Sequence, residues 1–425
     1  MLRADHPMDL PSLRHRASAN GAIALLLACW ALHLILSPLY VFPSGNPQPA
    51  DVLMAALILL VLSGMIGRLP LYGALYTVLG LLVLVIALVN LTWFSVYYRP
   101  IFVKSTSYYM YNALIVVFVV CAMRRAPEAM LKATTAGLFV AVMAQVVIVM
   151  LSGGGFRGTG GFNNPNQLGY WGILGLCCWL VARGRRPLGL LDLCFYAGTA
   201  NVVLASLSKA AIIALGAITL IALLAHGVRG RWFAGALGLV LVGTQLYFAL
   251  PPAWQERSAD VLAPHVMVEK VGKRFDSLGR HNDDSLIGRG YDRIWRHPEY
   301  LLFGAGEGQP GRFTGPDAGF NELHSSWGTL FFSYGLPGVG LFIVLLVLIF
   351  RHALVRHLLY FIPIAFYGLA HQGLRFSTFW VFLGLVYGVA QWQRGASRSP
   401  ADAAAPARSR GDGPPGAIAG QASRA

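Results

Sequence analysis

Long apolar runs separated by short polar breaks dominate this chain. Runs near the bilayer-spanning length of roughly 20 residues occupy 20–42, 50–67, 70–94, 108–123, 133–152, 167–183, 188–206, 210–226, 231–250, 325–350, 354–370 and 374–393. The pattern predicts an all-α polytopic integral membrane protein of about 12 transmembrane helices. Pro38 interrupts the first run, and 210–226 is short. The stretch Gly21–Leu36, behind Arg14 and Arg16, has the look of a signal peptide. No small-residue cleavage pattern follows and eleven more apolar runs do, so it reads as an uncleaved first helix. No internal repeat is visible. The expected division is an N-terminal cytoplasmic tail (1–19), helices 1–9 (20–250), a large, partly helical periplasmic loop (251–324), helices 10–12 (325–393) and a cytoplasmic tail (394–425). That last tail is rich in Ala, Gly, Pro, Ser and Arg, a composition that predicts disorder.

Composition agrees with the pattern. The chain is 56% hydrophobic and 12% charged, whereas a soluble domain carries about 25% charged residues. Cys29, Cys121, Cys177, Cys178 and Cys194 all lie inside apolar runs and are expected to be buried, inert thiols. The net charge of +15 raises the possibility of a nucleic-acid partner, and its placement argues against one. With the N-terminus in the cytoplasm, 19 of the 33 basic residues fall on the cytoplasmic side and only 5 in the short outward loops. This is the positive-inside distribution of a multi-pass membrane protein, its excess charge facing anionic membrane lipids.

Polar chemistry collects on the opposite, outward side. Residues 251–323 hold 11 of the 18 acidic residues and 9 basic ones. A connector this long is usually functional or disordered. Its apolar and aromatic residues, among them Ile287, Tyr291, Ile294 and Trp295 at helical spacing, predict short helices packed over the bundle.

Three outward segments carry candidate chemistry. In 153–167, Asn164 followed by Pro165 reads as a helix N-cap with proline at the first helical position. The glycines there would let backbone N–H groups converge on an anion, and Arg157 would supply a bidentate fork. The plainer alternative is a flexible turn whose arginine snorkels to headgroups. In Ser206-Leu207-Ser208-Lys209, the lysine is either an anion ligand in a cavity or a snorkelling interface residue. From 287 to 338 come Arg289, Arg293, the turn Phe303-Gly304-Ala305-Gly306-Glu307-Gly308, and Asn321-Glu322-Leu323-His324. His324 would sit at a helix N-terminus, where the dipole disfavours imidazolium and a neutral ring can accept a proton. Taken alone, it reads more readily as a hydrogen-bonded interfacial histidine.

Together these segments resemble the O-antigen ligase and O-antigen polymerase superfamily of bacterial surface polysaccharide assembly. The resemblance lies in F-R-G-T-G-G-F-N-N-P-N-Q-L-G-Y (156–170), S-L-S-K-A-A (206–211), I-G-R-G-Y-D-R-I-W (287–295), L-F-G-A-G-E-G (302–308), N-E-L-H-S-S-W (321–327) and Y-G-L-P-G (334–338). It implies a twelve-helix bundle with a large periplasmic loop between helices 9 and 10. It also implies transfer of a glycan from an undecaprenyl-diphosphate-linked donor to an acceptor hydroxyl at the periplasmic face. Carried over, Arg157 and Arg289 would bind diphosphate, with Lys209 and Arg293 as further cationic candidates, and His324 would activate the acceptor. Arg289 is preferred over Arg293 for the family's loop arginine. Asn164, Pro165, Asn166 and Glu322 would support the loop and the helix starts. Where the family commonly has arginine at the 206–209 turn, Lys209 keeps the charge and loses the fork.

No cofactor and no metal are expected. The leaving group is already a diphosphate, so cationic side chains can neutralise the charge that develops on it. Asp283-Asp284 is the only outward acidic pair and reads as a solvated turn. The acceptor separates two reactions: lipid A-core for a ligase of lipopolysaccharide biosynthesis, or a lipid-linked glycan for an O-antigen or exopolysaccharide polymerase. Ligase is the first choice. A lipid-linked sugar transporter would be expected to carry charges within its cavity helices, and these apolar runs are nearly free of them.

Overall fold

The computed structural model describes residues 10–64, 73–152, 157–184, 186–226, 264–276, 285–313 and 323–397. They form α1 (Leu10–Leu36), α2 (Pro49–Leu62), α3 (Gly73–Tyr97), α4 (Pro100–Arg125), α5 (Pro127–Leu151), α6 (Pro165–Arg183), α7 (Leu190–Ser206), α8 (Lys209–His226), α9 (Pro264–Asp276), α10 (Asp292–Arg296), α11 (Ser326–Phe350), α12 (Val355–Ala370) and α13 (Ser377–Ser397). Eleven of the twelve apolar runs coincide with a helix; the run at 231–250 lies outside the described residues. Helix α1 begins at Leu10, inside the segment expected to be tail, because the helical pattern extends past the apolar run. The tail from 398 and the Asp283-Asp284 pair also lie outside the described residues.

Local chemistry sets the helix starts. Proline occupies the first helical position at Pro49, Pro100, Pro127 and Pro165, where its missing N–H costs nothing. Asn164 accepts from the Asn166 N–H at 2.8 Å, and Ser325 accepts from the Gly328 N–H at 3.0 Å. Five helices (α3, α4, α5, α8, α11) are long and apolar enough to span a bilayer, and shorter apolar helices accompany them. Their outer faces stay apolar where they leave the protein: Leu84, Leu88 and Leu91 on α3, Val344 and Val347 on α11. A helix apolar all round belongs in lipid. The chain is a multi-pass helical membrane protein.

Helices α6 and α13 form the centre. Fourteen of the 19 residues of α6 are buried, packed against α5, α7, α8, α12 and α13. Some buried polar groups within the bundle are paired, as where Trp30 Nε1 donates to Thr134 Oγ1 at 2.9 Å. The five cysteines are free, three buried and Cys29 and Cys194 half-buried.

One helix is broken for a purpose. In α11, Gly335 adopts φ 62°, ψ −166°, and Pro337 follows two residues later. Proline has no N–H, so the carbonyl of Ser333 loses its helical donor. That carbonyl instead accepts from Gly306 N–H at 2.8 Å, and the Phe332 carbonyl accepts from Ala305 N–H at 2.9 Å. The displaced Leu336 N–H donates to the Leu301 carbonyl at 3.0 Å. Non-helical backbone at this depth is tolerated because loop 301–308 satisfies it. A Cβ on Gly304 would lie 2.4 Å from the Ser333 carbonyl oxygen, so the loop approaches only as glycine.

Candidate functional site

The connections α1–α2, α5–α6, α7–α8 and α12–α13 and segments 285–313 and 323–325 gather at one end of the bundle. Tyr40 N–H reaches the Gly161 carbonyl at 2.8 Å, and Ser105 Oγ reaches the Glu307 carbonyl at 2.9 Å. Segment 285–313 contributes turns and the five-residue α10, shorter than the spacing of Ile287, Tyr291, Ile294 and Trp295 predicts. Ile287 and Trp295 are exposed.

Arg157 is held from two sides. Its Nε donates to the Ser206 carbonyl at 2.9 Å and its Nη2 to Asn166 Oδ1 at 2.7 Å, fixing the plane of the guanidinium. This ties it to the end of α7 and the start of α6, and gives Asn166 its supporting role. Burial, then the nearby Arg274 charge, pulls its pKa down. Like charge nearby disfavours the charged form, and a neighbouring anion would relieve it. The glycines of this loop act differently from expectation. Gly158 N–H is spent on the Ala205 carbonyl at 2.8 Å and Gly161 N–H on Gln145 Oε1 at 2.8 Å. These two therefore do not form an anion-binding nest; a Cβ on Gly161 would lie 2.3 Å from the Pro38 carbonyl oxygen, so close packing explains that glycine. Gly153, Gly154 and Gly155 lie outside the described residues.

Facing Arg157 are the rings of Tyr367 and His371. Tyr367 donates to the Asn166 carbonyl at 3.0 Å and stacks on Tyr170 at 4.4 Å. His371, just beyond α12, lies 4.7 Å from the Tyr367 ring. Arg289 Nη1 donates to the Ala370 carbonyl, one residue away, and the Arg289 carbonyl accepts from His324 N–H at 3.0 Å. Burial first, then the charges of Arg289, His324 and Arg157, pulls the His371 pKa down to about 3. The structure thus brings Arg157, Arg289 and His324 around one pair of rings. His324 itself is exposed, with its backbone anchored beside α11.

Other candidates fall elsewhere. Arg293 is buried and its charge bears on Arg312. The guanidinium of Arg312 lies within an aromatic cage, 4.4 Å from Phe313 and 4.6 Å from Trp93. Lys209 opens α8, half-buried, one residue after the buried Ser208. Glu322 lies outside the described residues.

Beside the basic cluster sits an acidic anchor that sequence reasoning did not single out. Glu307 is buried; its Oε1 accepts from Arg375 Nε at 2.8 Å and Gln372 Nε2 at 3.1 Å, and its Oε2 from Tyr334 at 2.6 Å. Its backbone N–H donates to Asn90 Oδ1 at 2.8 Å. Loop 371–376 therefore carries His371 to one cluster and Gln372 and Arg375 to the other. A lone carboxylate between glycines was the available signal for Glu307. His371 and Arg274 carried none, since a single histidine after an apolar run and an arginine in a polar loop have many uses. Near Ser326 and Gly368 lies a small apolar void, about the size of one water, lined by Tyr170, Trp327, Phe342, Phe361, Ile364 and Phe379.

No protein-family model and no curated protein matches this chain in sequence.

Proposed function

We propose that this protein is a periplasmic-facing glycosyltransferase of the bacterial inner membrane that moves a glycan from undecaprenyl diphosphate to an acceptor hydroxyl. One observation carries the reading: Arg157 and Arg289, from segments 132 residues apart in sequence, act on the same His371 and Tyr367 rings beside His324. Two guanidinium forks on one site fit a diphosphate.

In the mechanism, the arginines hold the diphosphate and stabilise the negative charge that accumulates as the anomeric C–O bond breaks. The acceptor hydroxyl attacks the anomeric carbon from the opposite face, and the electron pair of the broken bond leaves with the phosphate oxygen. His324, exposed at the mouth, takes the hydroxyl proton. The outcome is inversion.

The assay is transfer by purified protein from lipid-linked glycan to candidate acceptors. Arg157→Ala and His324→Ala are each expected to lower the rate at least about tenfold, the loss of one charged hydrogen bond being about 1.5–3 kcal/mol. Chelation by EDTA is expected to leave transfer intact. Full activity in both variants would remove the site assignment. Ligation onto lipid A-core is the preferred reaction, and a deletion strain tests it. A missing ligase leaves long lipid-linked polymer, whereas a missing polymerase leaves single repeat units.

A further inference from the structure

Among the titratable groups around Arg157 and Arg289, His371 has no part in the mechanism above. Its backbone is fixed: its N–H donates to the Tyr367 carbonyl at 3.1 Å, and its carbonyl accepts from Ser326 N–H at 3.2 Å and Ser326 Oγ at 3.1 Å. Its ring rests on Tyr367 at an interplanar angle of 31°. Among the described residues the imidazole has no hydrogen-bond partner, so both ring nitrogens are available to a ligand. The charges that face it are Arg289 and His324 from the segment before α11 and Arg157 from the α5–α6 loop, with Arg274 of α9 acting on Arg157. Tyr367 and Ser326, on α12 and α11, are neutral.

We propose that His371 is the third ligand of the diphosphate and takes up a proton as the diphosphate arrives. This rests on the reading of the site as a diphosphate site. In the empty site the ring sits among like charges and burial opposes ionisation, so it stays neutral. A disubstituted diphosphate brings two negative charges between the arginines, and the field at the ring changes sign. The imidazole then gains its proton from water and donates to a phosphate oxygen. The site has only its arginine charge while empty, and its full cationic complement when loaded. When product leaves, the extra proton leaves with it, so the last cation holding the diphosphate is shed.

The experiment uses full-length protein in detergent and a short-chain prenyl diphosphosugar, a disubstituted diphosphate whose two charges are complete in mild acid and at neutrality. His324→Gln serves as the background, so that His324 does not titrate. Affinity is expected to weaken as pH rises from about 5, approaching tenfold per pH unit. In His324→Gln/His371→Gln the affinity is expected to be weaker and flat with pH. Calorimetry in two buffers of different ionisation enthalpy is expected to read close to one proton taken up per ligand while His371 is present. That measurement stands alone if the double variant fails to fold. Absence of proton uptake, or a pH slope unchanged by His371→Gln, overturns the proposal while leaving a diphosphate site that depends on Arg157 and Arg289. Failure of the diphosphosugar to bind at all overturns both readings.

Discussion

A guanidinium grips an anion well only when it is itself gripped. Arg157 spends two donors on Ser206 and Asn166, and that fixes the direction of the rest of the fork. Its context makes it more than a snorkelling surface arginine, although its motif alone allowed either. His371 shows the opposite case, a residue whose meaning comes entirely from its neighbours. Its folded pKa near 3, against an ordinary 6.5, has a measurable consequence. Between those values the unfolded chain binds the extra proton, so stability is complete above about 6.5 and falls as pH drops below it. The slope is at most about 1.4 kcal/mol per pH unit. Thermal melts of ligand-free protein at pH 6.5 and about 5 are expected to show that loss, and His371→Gln to reduce it. Equal loss in both proteins would assign the effect to other groups.

At the scale of elements, the break in α11 organises the site. Gly335 and Pro337 uncouple two carbonyls from the helix, and loop 301–308 takes them over and carries Glu307 inward. Glu307 then grips Arg375 and Gln372, which fixes the loop that presents His371. In Gly335→Ala the new Cβ would lie 2.5 Å from the Leu302 carbonyl oxygen, at φ 62°. A left-handed position occupied by alanine costs about 1–2 kcal/mol before the clash is counted. Gly335→Ala is therefore expected to lower the melting temperature and the transfer rate together, whereas Gly340→Ala, in open space on the same helix, leaves both near wild type. Proteolytic susceptibility of segment 285–313 is a direct check, and is expected to rise only in the first variant.

Across the whole molecule, polarity is sorted by end. Arg183 pairs with the buried Asp192 at 2.6 Å, far from the cluster around His371. The excess of basic residues at that end predicts that it faces the cytoplasm. Leu286→Cys, exposed in the outer segment, is expected to react with a membrane-impermeant maleimide added to the periplasmic side. Arg351→Cys, exposed beyond the other end of α11, is expected to react only after the membrane is opened. The reverse pattern would invert the orientation and remove the periplasmic site.

The sequence by itself determined that the chain is helical, that it lives in a membrane, and approximately where its long apolar helices lie. Those properties follow from the length of apolar runs and from caps such as Asn164-Pro165, all local in the chain. Arg157, Arg289 and His324 became candidates chiefly through the resemblance of their motifs to a known family. The tertiary structure sets Arg289, the sequence's preference, near the His371 ring together with Arg157, and buries Arg293, four residues on, where its charge bears on Arg312. It also brought in His371 and Glu307, whose surroundings depend on interactions across 47 and 68 residues, with the His324 charge and with Arg375. Electrostatic coupling depends on distance in space, and no pattern read along the chain measures that.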